Sequence, residues 1–191
     1  MITYTTSKTN QDLSEITILQ KSNLRQNLTA AEIQNQGFLT MSYTLETLKK
    51  MQDKESQIIA KDNDKIVGYE LALTEKSKFE IPVLTPMFET FNLMQYKEKL
   101  ISSYNYIVVG QICIDKEYRS KGLFDGCYEA YKNYFKNKYD FAITEIATDN
   151  KRSRAAHKRN GFEEIYTYKD FNNIEWVIVI LEWNSTNDYK I

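Results

Sequence analysis

Histidine, proline, cysteine and glycine are all scarce in this chain of 191 residues, which holds one His, two Pro, two Cys and six Gly. The single histidine, His157, excludes any site that needs two imidazoles. Two cysteines, Cys113 and Cys127, cannot build a Cys-rich structural zinc site, and both fall in apolar periodic segments, so no metal is expected. So little Gly and Pro excludes collagen-like, low-complexity and loop-dominated architectures, because too few residues remain to punctuate many turns. An excess of one charge is also missing: 25 Lys+Arg stand against 26 Asp+Glu, for a net charge of −1. That balance argues against a surface built wholly for nucleic acid. No apolar run reaches about 18 residues, so no membrane-spanning helix and no membrane partner are expected. The first residues lack the basic region and apolar stretch of a secretory signal, which points to a cytoplasmic protein with reduced thiols. Pairing of Cys113 with Cys127 stays open, but a disulfide would be unusual in that compartment, and both read as small core hydrophobes.

What is present is enough to fold. Apolar residues make up 42% of the chain, with 14 Tyr, 9 Phe and 2 Trp, and the length suits one domain of α/β (α+β) class with a real core. The opening residues 2–6 read as an edge strand. Leu13, Ile16 and Leu19 have helical spacing, with Asp12 or Ser14 able to cap the first turn. Thr29 with Glu32 three residues on fits a capping box for a second helix that Gly37 ends, and Thr44 opens a third with Leu45, Leu48 and Met51 on its apolar face. These helices make residues 1–56 a helical region, and the register changes at Gln57. Two β-rich runs flank Asp62-Asn63-Asp64 as a hairpin. Residues 79–94 hold both prolines and form a covered connection with a short helix.

Residues 106–114 carry too many β-branched apolar side chains to have a wet face, which predicts a central strand. A polar turn at 115–122 leads into a helix with Leu123, Cys127 and Tyr131 on one side, then a strand over 141–147. Strand, turn, helix and strand make a βαβ-type unit with parallel strands and a right-handed crossover. Asp149 or Asn150 then caps a helix that Asn160-Gly161 ends, and a hairpin over 164–183 closes the chain.

The turn Arg119-Ser120-Lys121-Gly122-Leu123-Phe124, between a strand and a helix, has the makings of an anion site. Backbone N–H groups at a helix start point outward, the helix dipole adds positive potential, and glycine lets the main chain approach closely. This turn resembles the pyrophosphate loop Q/R-x-x-G-x-G/A of the GCN5-related N-acetyltransferase (GNAT) superfamily, with Arg119 and Gly122 in place and Phe124 at the last small position. Because the loop works through N–H groups, Phe124 serves if its ring turns into the core. A second signature, N-x-x-A/S-x-x-x-Y-x-K-x-G-F, is matched by Asn150, Ser153, Arg159, Gly161 and Phe162, with His157 where the family has tyrosine. Two ordered signatures on the expected scaffold are far more specific than either alone.

The resemblance implies a mixed, mostly antiparallel sheet with a central splayed parallel strand pair flanked by helices, a cofactor core over 57–183, and acetyl-CoA as co-substrate. It implies cofactor contacts at Ile112, Cys113 and Ile114, at Arg119, Ser120, Lys121, Gly122, Leu123 and Phe124, and at Asn150 and Ser153. The implied reaction is acetyl transfer to a primary amine of a small molecule or peptide by direct attack. His157 is the candidate acid for the leaving thiolate, since an imidazole titrates near neutrality, although a lone histidine also serves simply to pack. Glu145 is the candidate base, because a carboxylate in an otherwise apolar strand must find a partner or face a cavity. Gln111 and Tyr43 are candidate substrate contacts. The basic run 151–159 alternates with Ala and reads as a solvated helix rather than a nucleic-acid patch. Another acyl-CoA or acceptor, and a non-catalytic CoA-binding sensor, are the rival readings, and monomer and homodimer both stay open.

Overall fold

The computed structural model describes residues 1–183 of the chain. Strand β1 (Ile2–Thr6) is followed by helices α1 (Asn10–Asn23), α2 (Ala30–Gln36) and α3 (Leu45–Gln52), then by the hairpin of β2 (Ile58–Asp62) and β3 (Lys65–Leu73). Helix α4 (Thr85–Leu93) and a small separate hairpin, β4 (Gln95–Tyr96) with β5 (Lys99–Leu100), fill the connection to β6 (Ile107–Ile114). Then come α5 (Leu123–Phe135), β7 (Phe141–Ala147), α6 (Lys151–Arg159), β8 (Glu163–Lys169) and β9 (Glu175–Glu182). Seven strands form one sheet in the order β1-β2-β3-β6-β7-β9-β8. Every neighbouring pair is antiparallel except β6 with β7, so the expected mixed sheet with one central parallel pair is present.

Local chemistry sets most helix starts. The second and third helices begin as expected, with Thr29 and Thr44 accepting the N–H of Glu32 and Thr47. The first differs. Helix α1 starts at Asn10 with Thr9 as its cap, and Asp12 is the reciprocal third residue whose carboxylate accepts the N–H groups of Lys8 and Thr9, both at 2.9 Å. Asp12 thus completes a capping box rather than standing at its head. The β4–β5 hairpin was not foreseen, because its turn uses Lys97 and Glu98 at positive φ, where glycine or asparagine is the usual signal.

Helices cover both faces. On one, Leu13 and Ile16 of α1, Leu48 and Met51 of α3, and Phe88 and Phe91 of α4 pack on Tyr69, Leu71, Val108, Ile143 and Ile178. On the other, Tyr128, Tyr131 and Phe135 of α5 pack on Ala72, Ile107, Val109, Ala142 and Val177. Cys113 and Cys127 are both buried and free, and they belong to different clusters. Two carboxylate residues are buried: Asp12, which is paired with Lys61, and Glu70 of β3, which is 0% exposed and has no hydrogen-bond partner for either carboxyl oxygen among the described residues. Burial therefore raises the pKa of Glu70 well above the ordinary carboxylate value.

Candidate active site

Strands β6 and β7 pair only at Ile107–Ala142 and Val108–Ile143, and then diverge. The Thr144 hydroxyl donates to the Val109 carbonyl at 2.7 Å and closes the root of the gap. Immediately beyond it Gly110 is extra in the ladder with β3, since Gln111 pairs with Leu71 and Val109 with Ala72. A Cβ at Gly110 would stand 2.5 Å from Leu73 Cδ1, so a side chain in this bulge would force Leu73 to move. At the far end Asp115 donates its N–H to Val67 of β3. By alternation along the strand, Ile114 and Ile112 turn their N–H and C=O groups the other way, into the gap.

Two cavities open from this gap. The first, of about 540 Å³, is walled by Ile112, Cys113, Ile114, Arg119, Ser120, Gly122, Leu123, Phe124, Asn150 and Ser153, which are all the expected cofactor residues except Lys121. Gly122 caps α5 at φ 81° with open space where a Cβ would be, and Ser120 is also left-handed at φ 61°. Among the described residues no acceptor takes the N–H groups of residues 120–125. Free N–H groups, a helix start and an open glycine suit a diphosphate. The Phe124 ring points into the core, 5.1 Å from Tyr128 and 5.4 Å from His157, leaving its N–H at the helix start. The charges differ from expectation. Arg119 is turned inward, its guanidinium donating to Asn23 Oδ1, to Gln36 Oε1 at 2.8 Å and to the Ile114 carbonyl at 3.1 Å. It fastens the loop to α1 and α2, while Lys121 lies over the Tyr118 ring. Arg152 and Arg159 also line this end, Arg152 donating to the Asn35 carbonyl at 3.0 Å and to Ser120 Oγ at 3.3 Å, and Arg159 paired at 2.6 Å with Asp125, which lines the same cavity.

Asn150 sits where the two cavities meet. Its Oδ1 caps α6 by accepting the Ser153 N–H at 3.3 Å, and its Nδ2 donates to the Phe38 carbonyl at 3.2 Å. Ser153, Ile112, Phe38 and Leu39 also line both spaces.

The second cavity, of about 310 Å³, collects Glu145, Gln111, Tyr43 and His157. Glu145 projects on the face of Phe141 and Ile143, opposite Ile178 of β9. Burial raises its pKa; the Tyr168 O–H, donated at 2.5 Å, holds it down, and the charge of Asp170 raises it again, to about 7. Tyr43 is 5% exposed and its hydroxyl has no partner among the described residues, so it is available beside Glu145. Gln111 lines the wall, but its amide is engaged: the Tyr69 O–H donates to Oε1 at 2.5 Å, and Nε2 donates to the Met41 carbonyl at 2.8 Å.

His157 is 3% exposed and edge-on to Phe124, Tyr128 and Phe162. Its Nδ1 lies 2.8 Å from the Ser153 carbonyl, which can only accept, so Nδ1 carries the proton and Nε2 accepts the Tyr128 O–H at 2.7 Å. Burial lowers its pKa to about 4, outweighing that carbonyl bond. Sequence reasoning missed Tyr168, Tyr128 and Thr144 as partners of the site. Tyrosines abound in this chain, and nothing local distinguishes these two.

A sequence profile of the Acetyltransferase (GNAT) family matches residues 24–162. Among curated proteins no match is found. Solved structures similar to this fold include the ribosomal-protein-S18-alanine N-acetyltransferase from Escherichia coli, with 13% identity, TM-score 0.63, and coverage of 100% of this chain and 99% of that one. Another is the NatC complex bound to Gag peptide and CoA, with 13% identity, TM-score 0.65 and coverage of 95% and 98%. A third is Arabidopsis thaliana NAA60 in complex with acetyl-CoA, with 10% identity, TM-score 0.64 and coverage of 97% and 100%. With the profile spanning most of the chain and the splayed strand pair in place, the chain belongs to the GNAT acetyltransferase family.

Proposed function

We propose that the protein transfers an acetyl group from acetyl-CoA to a primary amine of a small molecule or peptide, by direct attack of the amine. The carrying observation is one continuous cleft, with unpaired N–H groups and arginines at one end and Glu145 at the other. When bound, acetyl-CoA supplies an activated thioester carbonyl. The N–H groups of residues 120–125 hold its diphosphate, and the gap-facing Ile112 carbonyl and Ile114 N–H hold the pantetheine arm as an added strand would be held. The Ile112 N–H, at the junction of the cavities, stands where a donor for developing negative charge is needed.

Glu145 takes the amine proton. An α-amino group titrates at about 8 and a lysine amine at about 10.4, so either is mostly protonated at neutral pH. A carboxyl with a pKa of about 7 is partly ionised there and matched to the transfer. Tyr168 orients it, and the Tyr43 hydroxyl is placed to hold the acceptor. For His157 an orienting role has more support than an acid's, because the ring is neutral and both nitrogens are engaged.

Thiol release from acetyl-CoA over an amine panel tests the reading. Amine-dependent release that is lost in Glu145→Gln is expected. Acetyl-CoA binding without release from any amine would leave a CoA-binding sensor instead.

A further inference from the structure

The cleft is divided by charge. Its first cavity carries Arg119, Arg152 and Arg159 against a single carboxylate, Asp125, which is paired with Arg159, whereas the second holds two carboxylates, Glu145 and Asp170, and, among the described residues, no Lys or Arg. A cationic amine is favoured in the second, and an acceptor with an anionic group near its amine finds no counter-charge there. The rest of that wall is largely apolar and continues outside. Val83 is 63% exposed, Phe171 81% and Ile174 41%, and all three border the same cavity from two sides. Exposed apolar residues scattered singly need no explanation, but several converging on one mouth mark a contact surface. Nor is Phe171 a loose loop residue. Asp170 accepts the N–H groups of Asn172 and Ile174, both at 2.9 Å, and the indole N–H of Trp176 at 3.1 Å, so the β8–β9 turn is braced with Phe171 at its tip.

We propose that the acceptor is the free amino end of a polypeptide whose first side chains are apolar, with the amine at Glu145 and those side chains against Val83, Phe171 and Ile174. A compact amine housed inside the cavity would leave that rim untouched. A chain running outward covers it. This inference rests on the acetyltransferase reading above and names its acceptor.

The test measures kcat/KM by thiol release for short peptides that begin Ala-Leu-Phe, Ala-Asp-Glu or Ala-Lys-Lys, with N-acetylated Ala-Leu-Phe and 2-phenylethylamine as controls. Calorimetric binding of the same compounds in the presence of CoA accompanies it. The apolar peptide is expected to exceed the acidic one by about tenfold or more, and Phe171→Asp or Val83→Asp is expected to remove about tenfold for the apolar peptide with acetyl-CoA affinity retained. Equal rates and affinities for the apolar and acidic peptides overturn the proposal. So does 2-phenylethylamine matching the apolar peptide, or turnover of other amines with no peptide bound or acetylated. If the apolar peptide binds selectively but no thiol is released, the acceptor assignment stands and the acetyltransferase reading falls.

Discussion

Replacing Glu70 by glutamine is expected to stabilise the protein, by an amount that grows with pH. Glu70 sits in β3 between Ile58 and Ile112, fully buried, with neither oxygen hydrogen-bonded among the described residues. A charge there would also fall beside Cys127, Tyr128 and Tyr131 of α5. An unpaired carboxylate in such a place is far too costly, so the group folds as the neutral acid. In the unfolded chain an ordinary glutamate ionises at about 4.3, so for each pH unit above that the folded state loses up to about 1.36 kcal/mol until its own raised pKa is reached. Because the folded pKa is raised, the stability is complete below the unfolded pKa and is lost as pH rises towards the folded one. Glutamine keeps the shape and has no proton to take up. Its unpaired amide costs about what the unpaired acid does, so the variant should be the more stable protein at pH 7. Urea unfolding of both proteins at pH 5.5, 6.5 and 7.5, with equal m-values, should show the difference widening as pH rises, by up to about 1.4 kcal/mol per pH unit. A difference that stays constant across that range would refute the reasoning. His157 acts in the opposite sense, its lowered pKa making stability fall as pH drops below about 6.5, but it is common to both proteins and cancels.

At the site, Glu145→Gln should lower kcat/KM by about 10²-fold and remove the rise of activity through about pH 7 that the carboxylate form provides, as a pH–rate profile would show. A substitution of Gly122 by Ala forces a side chain into a left-handed position at φ 81°, costing about 1 kcal/mol in denaturant unfolding, and should weaken acetyl-CoA binding measured by calorimetry. Tyr128→Phe leaves the buried Nε2 of His157 without a donor, and should cost about 1–3 kcal/mol of stability. In a double-mutant cycle with His157→Phe that penalty should largely vanish. Thr9→Ala removes the cap of α1 and should cost about 1 kcal/mol in the same assay.

Much of this was readable without coordinates. Caps at Thr29 and Thr44, the glycine at Gly122, the closing hairpin over 164–183 and the apolar run over 106–114 depend on residues within a few positions of each other, or on a period that chain geometry alone sets. The same locality placed every expected cofactor residue but Lys121 along one wall. It did not reveal what those side chains do. Arg119 lies in the phosphate turn by sequence, yet its guanidinium is claimed by Asn23 and Gln36 from helices far upstream. His157 falls at a signature position, and burial together with Tyr128 from α5 makes it a neutral ring. Nothing near Glu145 in sequence announces Tyr168, and Glu70, which stands in an apolar strand as Glu145 does, differs from it only in having no partner among the described residues once the chain is folded. The sequence by itself determined the elements, their order and the backbone of the anion turn, since caps, turns and periodicity are short-range effects. Only the tertiary structure decided protonation, orientation and the division of the cleft into a basic and an acidic half, because desolvation and hydrogen-bond partners come from segments that meet only when the chain is folded.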